Sequence, residues 1–268
     1  MADQNSGNVE FLKFQDVDLE VERRGAGPPL VLLDDEEGLT RESPLVDEWA
    51  KSFEVIIPSM PGFGRSSRPN WIETMDDIAY IMLDFLDQAG IEDATLVGFS
   101  LGGWLAAEMA TKNVTRIARL ALVDPYGIKV GGPWDRDIQD IWFLTKEEVQ
   151  ALKYADAKNG DIDYPAMPDE KLEIIARNSE SFARFCWQPY MHNPKLKRRL
   201  HRISVPTLVI WGAADGVITT DYGKAYADEI PGARFEVIEN GGHFPHLEQP
   251  EHFMEVLGGF LADTQKAA

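Results

Sequence analysis

The stretch Leu96-Val97-Gly98-Phe99-Ser100-Leu101-Gly102-Gly103 decides the reading of this 268-residue chain. Residues 94–98 read as an apolar strand and residues 101–111 as a helix. Ser100 stands at their junction in a G-x-S-x-G pattern. That is the pattern of a nucleophile elbow, a strained turn that lifts a serine hydroxyl clear of the sheet. Crowding at so sharp a turn leaves no room for side chains two positions before and after the serine, which accounts for Gly98 and Gly102. The simpler reading is a serine that merely caps the helix.

Outward from that turn, short apolar runs recur at 30–33, 54–57, 120–123 and 207–211. Continuous apolar strands of this length indicate a parallel sheet covered on both faces. Residues 17–23 alternate apolar and charged, as an edge strand with one wet face would. Helical patterns at 75–89, 101–111 and 220–229 fall between the strands, so the alternation argues for a doubly wound α/β fold. In such sheets ligands sit beyond the carboxyl ends of the strands, where Ser100 falls. From Tyr126 to about Ser204 no convincing strand appears. A structureless loop of that length would be unusual, which points to a helical insertion. Its many aromatics, Trp134, Trp142, Phe143, Phe182, Phe185, Trp187 and Tyr190 among them, pack it onto the core, and some are expected to line a cavity at the boundary.

A serine nucleophile needs a base within hydrogen-bond reach, and the base needs a partner that fixes its tautomer. Of the five histidines, His192 and His201 belong to the insertion and His252 reads as a surface residue of a terminal helix. His243 and His246 follow the strand-like run 235–238. Gly241 and Gly242 let the loop bearing His243 approach other backbone, so His243 is the better base and His246 an anchor of the loop. For the acid, Asp215 follows the strand at 207–210. Asp124, at the end of 120–123, competes, but Asp124-Pro125 also makes a turn. Asp215 is favoured.

Composition bounds the function. The net charge is −19, from 45 acidic and 26 basic residues. Such charge disfavours nucleic acid and anionic membrane surfaces as partners. The single cysteine, Cys186, leaves no internal disulfide or multi-cysteine metal site, and its aromatic setting suits packing or a pocket wall. Neither clustered metal ligands nor a phosphate loop is apparent, so no cofactor or metal is expected. Met1 to Glu10 lacks the pattern of a signal peptide, and no run approaches the roughly 18 apolar residues of a membrane span. A cytoplasmic protein with a small-molecule substrate is the default expectation; a homodimer is left open. The basic run at 195–202 reads as a cationic helix at the junction of insertion and core, paired with nearby acids.

With these residues in hand, the chain resembles the α/β-hydrolase superfamily, in its single-cap serine hydrolase branch, which includes esterases and C–C hydrolases. The likeness covers nearly the whole length. It rests on Gly98-Phe99-Ser100-Leu101-Gly102, Pro61-Gly62-Phe63-Gly64-Arg65-Ser66, Trp211-Gly212-Ala213-Ala214-Asp215 and Gly242-His243-Phe244-Pro245-His246-Leu247-Glu248. The resemblance implies an eight-stranded, mostly parallel sheet with helices on both faces. It also implies a core of residues 1–126 and 203–268, with a helical cap of residues 127–202 inserted after the sixth strand. By matching position it implies Ser100 as nucleophile, His243 as base and Asp215 as acid.

One departure stands out. Family members commonly carry His-Gly after the third strand, where this chain has Asp34-Asp35-Glu36-Glu37-Gly38. The backbone N–H groups of Leu101 and Glu36 are then the expected oxyanion hole, since backbone donors survive a change of side chain. Four carboxylates would oppose a developing oxyanion unless they face solvent or pair with a cation. The expected arrangement is a loop turned outward; the sharper reading is a preference for substrates that are cationic or donate hydrogen bonds. Asp35, Phe99, Tyr126, Trp142, Trp187 and Phe244 are the candidate pocket residues. The expected activity is hydrolysis of a small to medium carboxylic ester through an acyl-enzyme on Ser100. The rival readings are C–C bond hydrolysis of ring-cleavage-type dienoates and a non-catalytic receptor on the same fold.

Overall fold

The structure, a computed structural model, describes residues 7–262. The reading of Met1 to Glu10 as free of a leader falls mainly outside them. Eight strands form one sheet: β1 (Asn8–Phe14), β2 (Val17–Arg24), β3 (Pro29–Leu33), β4 (Glu54–Pro58), β5 (Ala94–Phe99), β6 (Ile117–Val123), β7 (Thr207–Gly212) and β8 (Arg234–Ile238). Their spatial order is β1-β2-β4-β3-β5-β6-β7-β8. β2 runs antiparallel to both β1 and β4, and every other pairing is parallel. The chain therefore has the expected α/β-hydrolase fold.

Period-two alternation inside the apolar strands builds two cores, one on each face. Val31 and Leu33 of β3 join Leu120 and Leu122 of β6 and Trp211 of β7 in one of them. Leu30, Leu32, Ala121, Val123, Leu208 and Ile210 point into the other. The first face is covered by α2 (Met75–Gln88), α3 (Leu101–Lys112) and α6 (Thr220–Asp228). The second is covered by α1 (Pro44–Trp49) and α8 (Pro250–Ala262), through Trp49, Phe253 and Leu257. Thr74 starts α2 with a reciprocal capping box to Asp77, which satisfies two otherwise orphaned N–H groups.

One strand lies outside the runs read from sequence, and one expectation is corrected. β1 escaped notice because it pairs on one side only and leaves Val9 and Phe11 exposed, with Phe14 alone buried. The alternating run in β2 is not an edge. It lies between β1 and β4, and two of its acidic residues are buried: Glu22, and Glu20, which accepts from the Ser59 hydroxyl and the Arg65 amide.

Between β6 and β7 the chain has helices α4 (Lys146–Lys153) and α5 (Asp169–Cys186) and, among the described residues, no strand beyond isolated bridges. This excursion closes on itself at its base, where the Gly127 amide donates to Met191 and the Asn193 amide to Gly127. Phe182, Phe185 and Cys186 join the first core, so the excursion shares packing with the sheet. The basic run includes a short 3₁₀ turn (Lys197–Arg202), in which Lys197 lies 3.7 Å from Glu229 and Arg202 donates to the Thr111 carbonyl at the end of α3. Completing the helices, α7 (Pro245–Glu248) follows β8. No helix among the described residues is long and apolar enough to cross a membrane.

Candidate active site

The turn after β5 holds Ser100 at φ 50° and ψ −111°, a strained conformation for a residue with a side chain. A Cβ on Gly98 would meet the Gly102 carbonyl, and one on Gly102 would meet the Leu33 and Asp34 carbonyls, so backbone itself enforces both glycines. Ser100 makes no side-chain capping bond to α3. The helix-cap reading is thereby excluded. Its hydroxyl instead faces the loops that follow β3 and β8.

The loop after β8 carries His243, whose Nε2 lies 2.7 Å from Ser100 Oγ. The imidazole Nδ1 lies 2.7 Å from Asp215 Oδ2. Asp215 is fixed in turn by the Val217 and Ile218 amides, which both donate to its Oδ1. Bare backbone is needed between these loops as well, because a Cβ on Gly212 would strike the Gly242 carbonyl. The Tyr126 ring packs 5.1 Å from the imidazole. All three polar side chains are buried.

Asp124 lies in the same nest but does not hold the histidine. Its Oδ1 accepts from the Gly212 amide, and its Oδ2 is buried without a partner. Burial and the neighbouring Asp215 charge push its carboxyl well above the carboxylate range. Asp124, Asp215 and His243 are the one group among the described residues spaced for a metal ion. Asp215 Oδ2 and His243 Nδ1 already bond each other, and Asp124 Oδ2 has no hydrogen-bond partner.

The acidic loop after β3 does not turn outward. Asp34, Asp35 and Glu36 are all buried, and each carboxylate is answered inside the protein. Asp34 receives Arg41 at 3.2 Å. Asp35 accepts the amides of Glu37, Gly38, Leu39 and Thr40 and the Thr40 hydroxyl, so it shapes the loop. Burial, with the Asp34 and Glu36 charges, pushes its carboxyl up to about 8. Thr40 also bonds His246 Nε2 at 3.0 Å, which gives His246 the anchoring role read from sequence. Glu36 reaches further in: its Oε2 accepts from Ser100 Oγ at 2.8 Å, and its Oε1 accepts from Lys153 Nζ at 2.8 Å. Burial raises the Glu36 carboxyl, but the Lys153 ammonium and then His243 outweigh it and hold the group at about 2.

Lys153, the last residue of α4, was not legible as a site residue. Its helix reads as an ordinary amphipathic segment, and its partners, Glu36 and Glu37, lie more than a hundred positions away. The ammonium also sits 5.2 Å over the Phe244 ring. The same holds for Glu248, which ties the end of α4 to the His243 loop by accepting the Gly242 and Ala155 amides.

A cavity of about 430 Å³ opens beside Glu36, with Trp142, Lys153, Ile175 and Phe182 among its walls. Of the candidate pocket residues, Trp142 lines it. Tyr126 lies beneath, its hydroxyl 3.4 Å from Glu36 Oε1. The other four are placed elsewhere. Asp35 faces a smaller cavity beside Arg41. Phe99 points to the far face of the sheet against His246 and Phe253, because alternation along β5 turns it away from the site. Phe244 is buried between the His243 and Tyr154 rings. Trp187 is 63% exposed and lines a separate surface pocket with Trp134.

The chain belongs to the alpha/beta hydrolase family, whose profile matches residues 37–255. It is 29% identical over 259 residues to 2-hydroxymuconate semialdehyde hydrolase of a Pseudomonas species, covering 91% of this chain and 90% of that protein. It is 28% identical over 233 residues to 3-oxoadipate enol-lactonase 1 of Acinetobacter baylyi, covering 83% and 84%. Among solved structures it is similar in fold to a meta-cleavage product hydrolase from Pseudomonas fluorescens, with TM-score 0.76 and 20% identity over 96% of this chain and 98% of that one.

Proposed function

We propose that this hydrolase cleaves a small to medium carboxylic ester through a covalent acyl-enzyme on Ser100. The observation that carries the reading is the unbroken line of 2.7 Å contacts from Asp215 through His243 to Ser100. In the forward step Ser100 Oγ attacks the carbonyl carbon while His243 Nε2 takes the hydroxyl proton. Asp215 keeps Nδ1 protonated and stabilises the imidazolium. The backbone N–H groups of Leu101 and Glu36 serve the tetrahedral oxyanion, and His243 returns its proton to the departing alkoxide. His243 then deprotonates a water, whose attack releases the acid and restores the serine. The excursion between β6 and β7 acts as the cap that roofs the 430 Å³ cavity.

A second reading, hydrolysis of a carbon–carbon bond in a ring-cleavage-type dienoate, is favoured by the end-to-end match to 2-hydroxymuconate semialdehyde hydrolase. The match to an enol-lactonase favours an ester-type bond. A fluorophosphonate probe should label wild-type protein and not Ser100→Ala. Turnover of p-nitrophenyl esters compared with a coloured ring-cleavage dienoate then separates the two chemistries. Faster turnover of the dienoate would give the carbon–carbon reading precedence.

A further inference from the structure

The hydrolase mechanism gives the Glu36 backbone a part and leaves its carboxylate without one. That side chain is only 2% exposed, yet Glu36 both touches the nucleophile and lines the cavity. Oε2 holds the Ser100 hydroxyl at 2.8 Å, while the residue itself lines the cavity. Ser100, His243 and Asp215 are not among the residues that line it.

The carboxylate is also held by its other oxygen. Lys153 grips Oε1, and Lys153 is itself fixed on three sides. Its side chain is 5% exposed and also pairs with Glu37. Its main-chain carbonyl accepts the His243 amide at 2.7 Å. Substrate entering from the cavity therefore meets an ionised carboxylate held in place.

Two consequences follow for catalysis. A hydroxyl has one proton, and Ser100 Oγ lies between two acceptors, His243 Nε2 and Glu36 Oε2. A proton given to Glu36 is withheld from the base. One Lys153 ammonium answers both Glu36 and Glu37, and the excess negative charge opposes the oxyanion that forms beside Glu36, in a buried site that screens the repulsion poorly. Both difficulties vanish when the substrate supplies its own donor to Oε2. Ser100 can then turn its proton to His243, and the carboxylate remains satisfied. A substrate without a donor leaves Oε2 of a buried carboxylate unsatisfied once Ser100 turns to His243, the kind of mismatch by which polar sites reject analogues most strongly.

We propose that Glu36 is a specificity-determining residue: through Oε2 it selects substrates with a hydrogen-bond donor, a hydroxyl, ammonium or amide N–H, on the carbon next to the reacting carbonyl. A donor at that position stands two bonds from the carbon that Ser100 attacks, within the reach the serine hydroxyl now has. The cavity walls carry the carboxylates Glu36, Glu37 and Glu42 against Lys153 and Lys171, so neutral or cationic donors are preferred over anions. The inference rests on the serine hydrolase reading above.

The test compares ethyl lactate, ethyl 2-methoxypropanoate and ethyl propanoate, the chiral esters as both enantiomers, with the full-length protein. Wild type should favour the hydroxy ester over the methoxy ester by at least about tenfold in kcat/KM, the scale of a hydrogen bond to a charged group. Glu36→Gln should bring the two within about threefold and gain activity on ethyl propanoate. Equal turnover of all three by wild type, a preference for the methoxy ester, or an undiminished preference in Glu36→Gln overturns the proposal. The wild-type comparison decides even if the variant fails to fold. Fluorophosphonate labelling of Ser100 without discrimination removes this inference and leaves the hydrolase reading standing. Absence of labelling and of turnover in both proteins removes both.

Discussion

The main-chain carbonyl of Lys153 accepts the amide of His243 at 2.7 Å, so the excursion between β6 and β7 is sewn directly to the loop that carries the imidazole. One position earlier, the Leu152 carbonyl accepts the Gly216 amide beside Asp215. The end of α4 is thus a shared strut for both loops of the hydrogen-bonded line. Its carbonyls thereby tie the excursion to both loops of the site.

Replacing Ser100 with Ala removes the only hydroxyl in that line. Turnover of any ester substrate should fall by roughly 10³-fold or more while thermal stability stays close to wild type. Steady-state kinetics and a melting curve on the same preparation check this. Retained hydrolysis in the folded variant would overturn the role of Ser100.

Asp215 and Asp124 offer a direct contrast. Asp215 holds His243 Nδ1, whereas Asp124 bonds the Gly212 amide and leaves its second oxygen unpartnered. Asp215→Asn should cost on the order of 10⁴-fold in kcat by analogy with other triads, since the amide favours the wrong imidazole tautomer. Asp124→Asn should cost far less. If the order is reversed, Asp124 is the working acid.

Lys153→Met strands Glu36 as a buried carboxylate without its cation. Such breakage typically costs about 3–5 kcal/mol, measurable by urea unfolding at pH 7. The deficit should depend on pH with a definite sign. Glu36 is held at about 2 against an ordinary 4.5, so the contribution of its ionised form is present above 4.5 and is lost as pH falls towards 2. Wild type and variant should therefore converge in acid. A deficit that stays constant down to pH 3 would show that the pair carries no such linkage.

His246 supplies a second linkage on the acid side. Burial, followed by the charge of His243, pulls it from an ordinary 6.5 down to about 3. A depressed histidine contributes stability that is present above 6.5 and drains away as pH falls through 3. His246→Gln keeps a partner for Thr40 and removes the titration, so its stability curve should be flatter than wild type across that window. Parallel curves would contradict the assignment.

The legible parts of this protein were those written in local sequence. The glycines around Ser100, the uninterrupted apolar strands and the helical spacing each express a constraint acting within a few residues. They led to the eight-stranded sheet, the elbow and the three side chains of the line. β1 was missed because an edge strand with exposed apolar residues carries no burial signal. The pocket residues fared worst. Phe99 adjoins Ser100 in sequence and Trp187 belongs to the aromatic-rich insertion, but alternation along β5 and the outward face at the end of α5 send them away from the cavity.

By itself the sequence determined the fold and pointed to Ser100, Asp215 and His243 as neighbours, because close backbone approach admits only glycine and strand-end placement is a local property; the structure joins them in one hydrogen-bonded line. Only the tertiary structure decided the fate of the acidic run. Four consecutive carboxylates read as a solvated loop unless partners answer them; here nearby Arg41 answers Asp34, loop amides and Thr40 answer Asp35, and Lys153, more than a hundred residues along the chain, answers Glu36 and Glu37. Charge compensation acts through space, so no stretch of sequence around Glu36 could show that its carboxylate would lie against the serine.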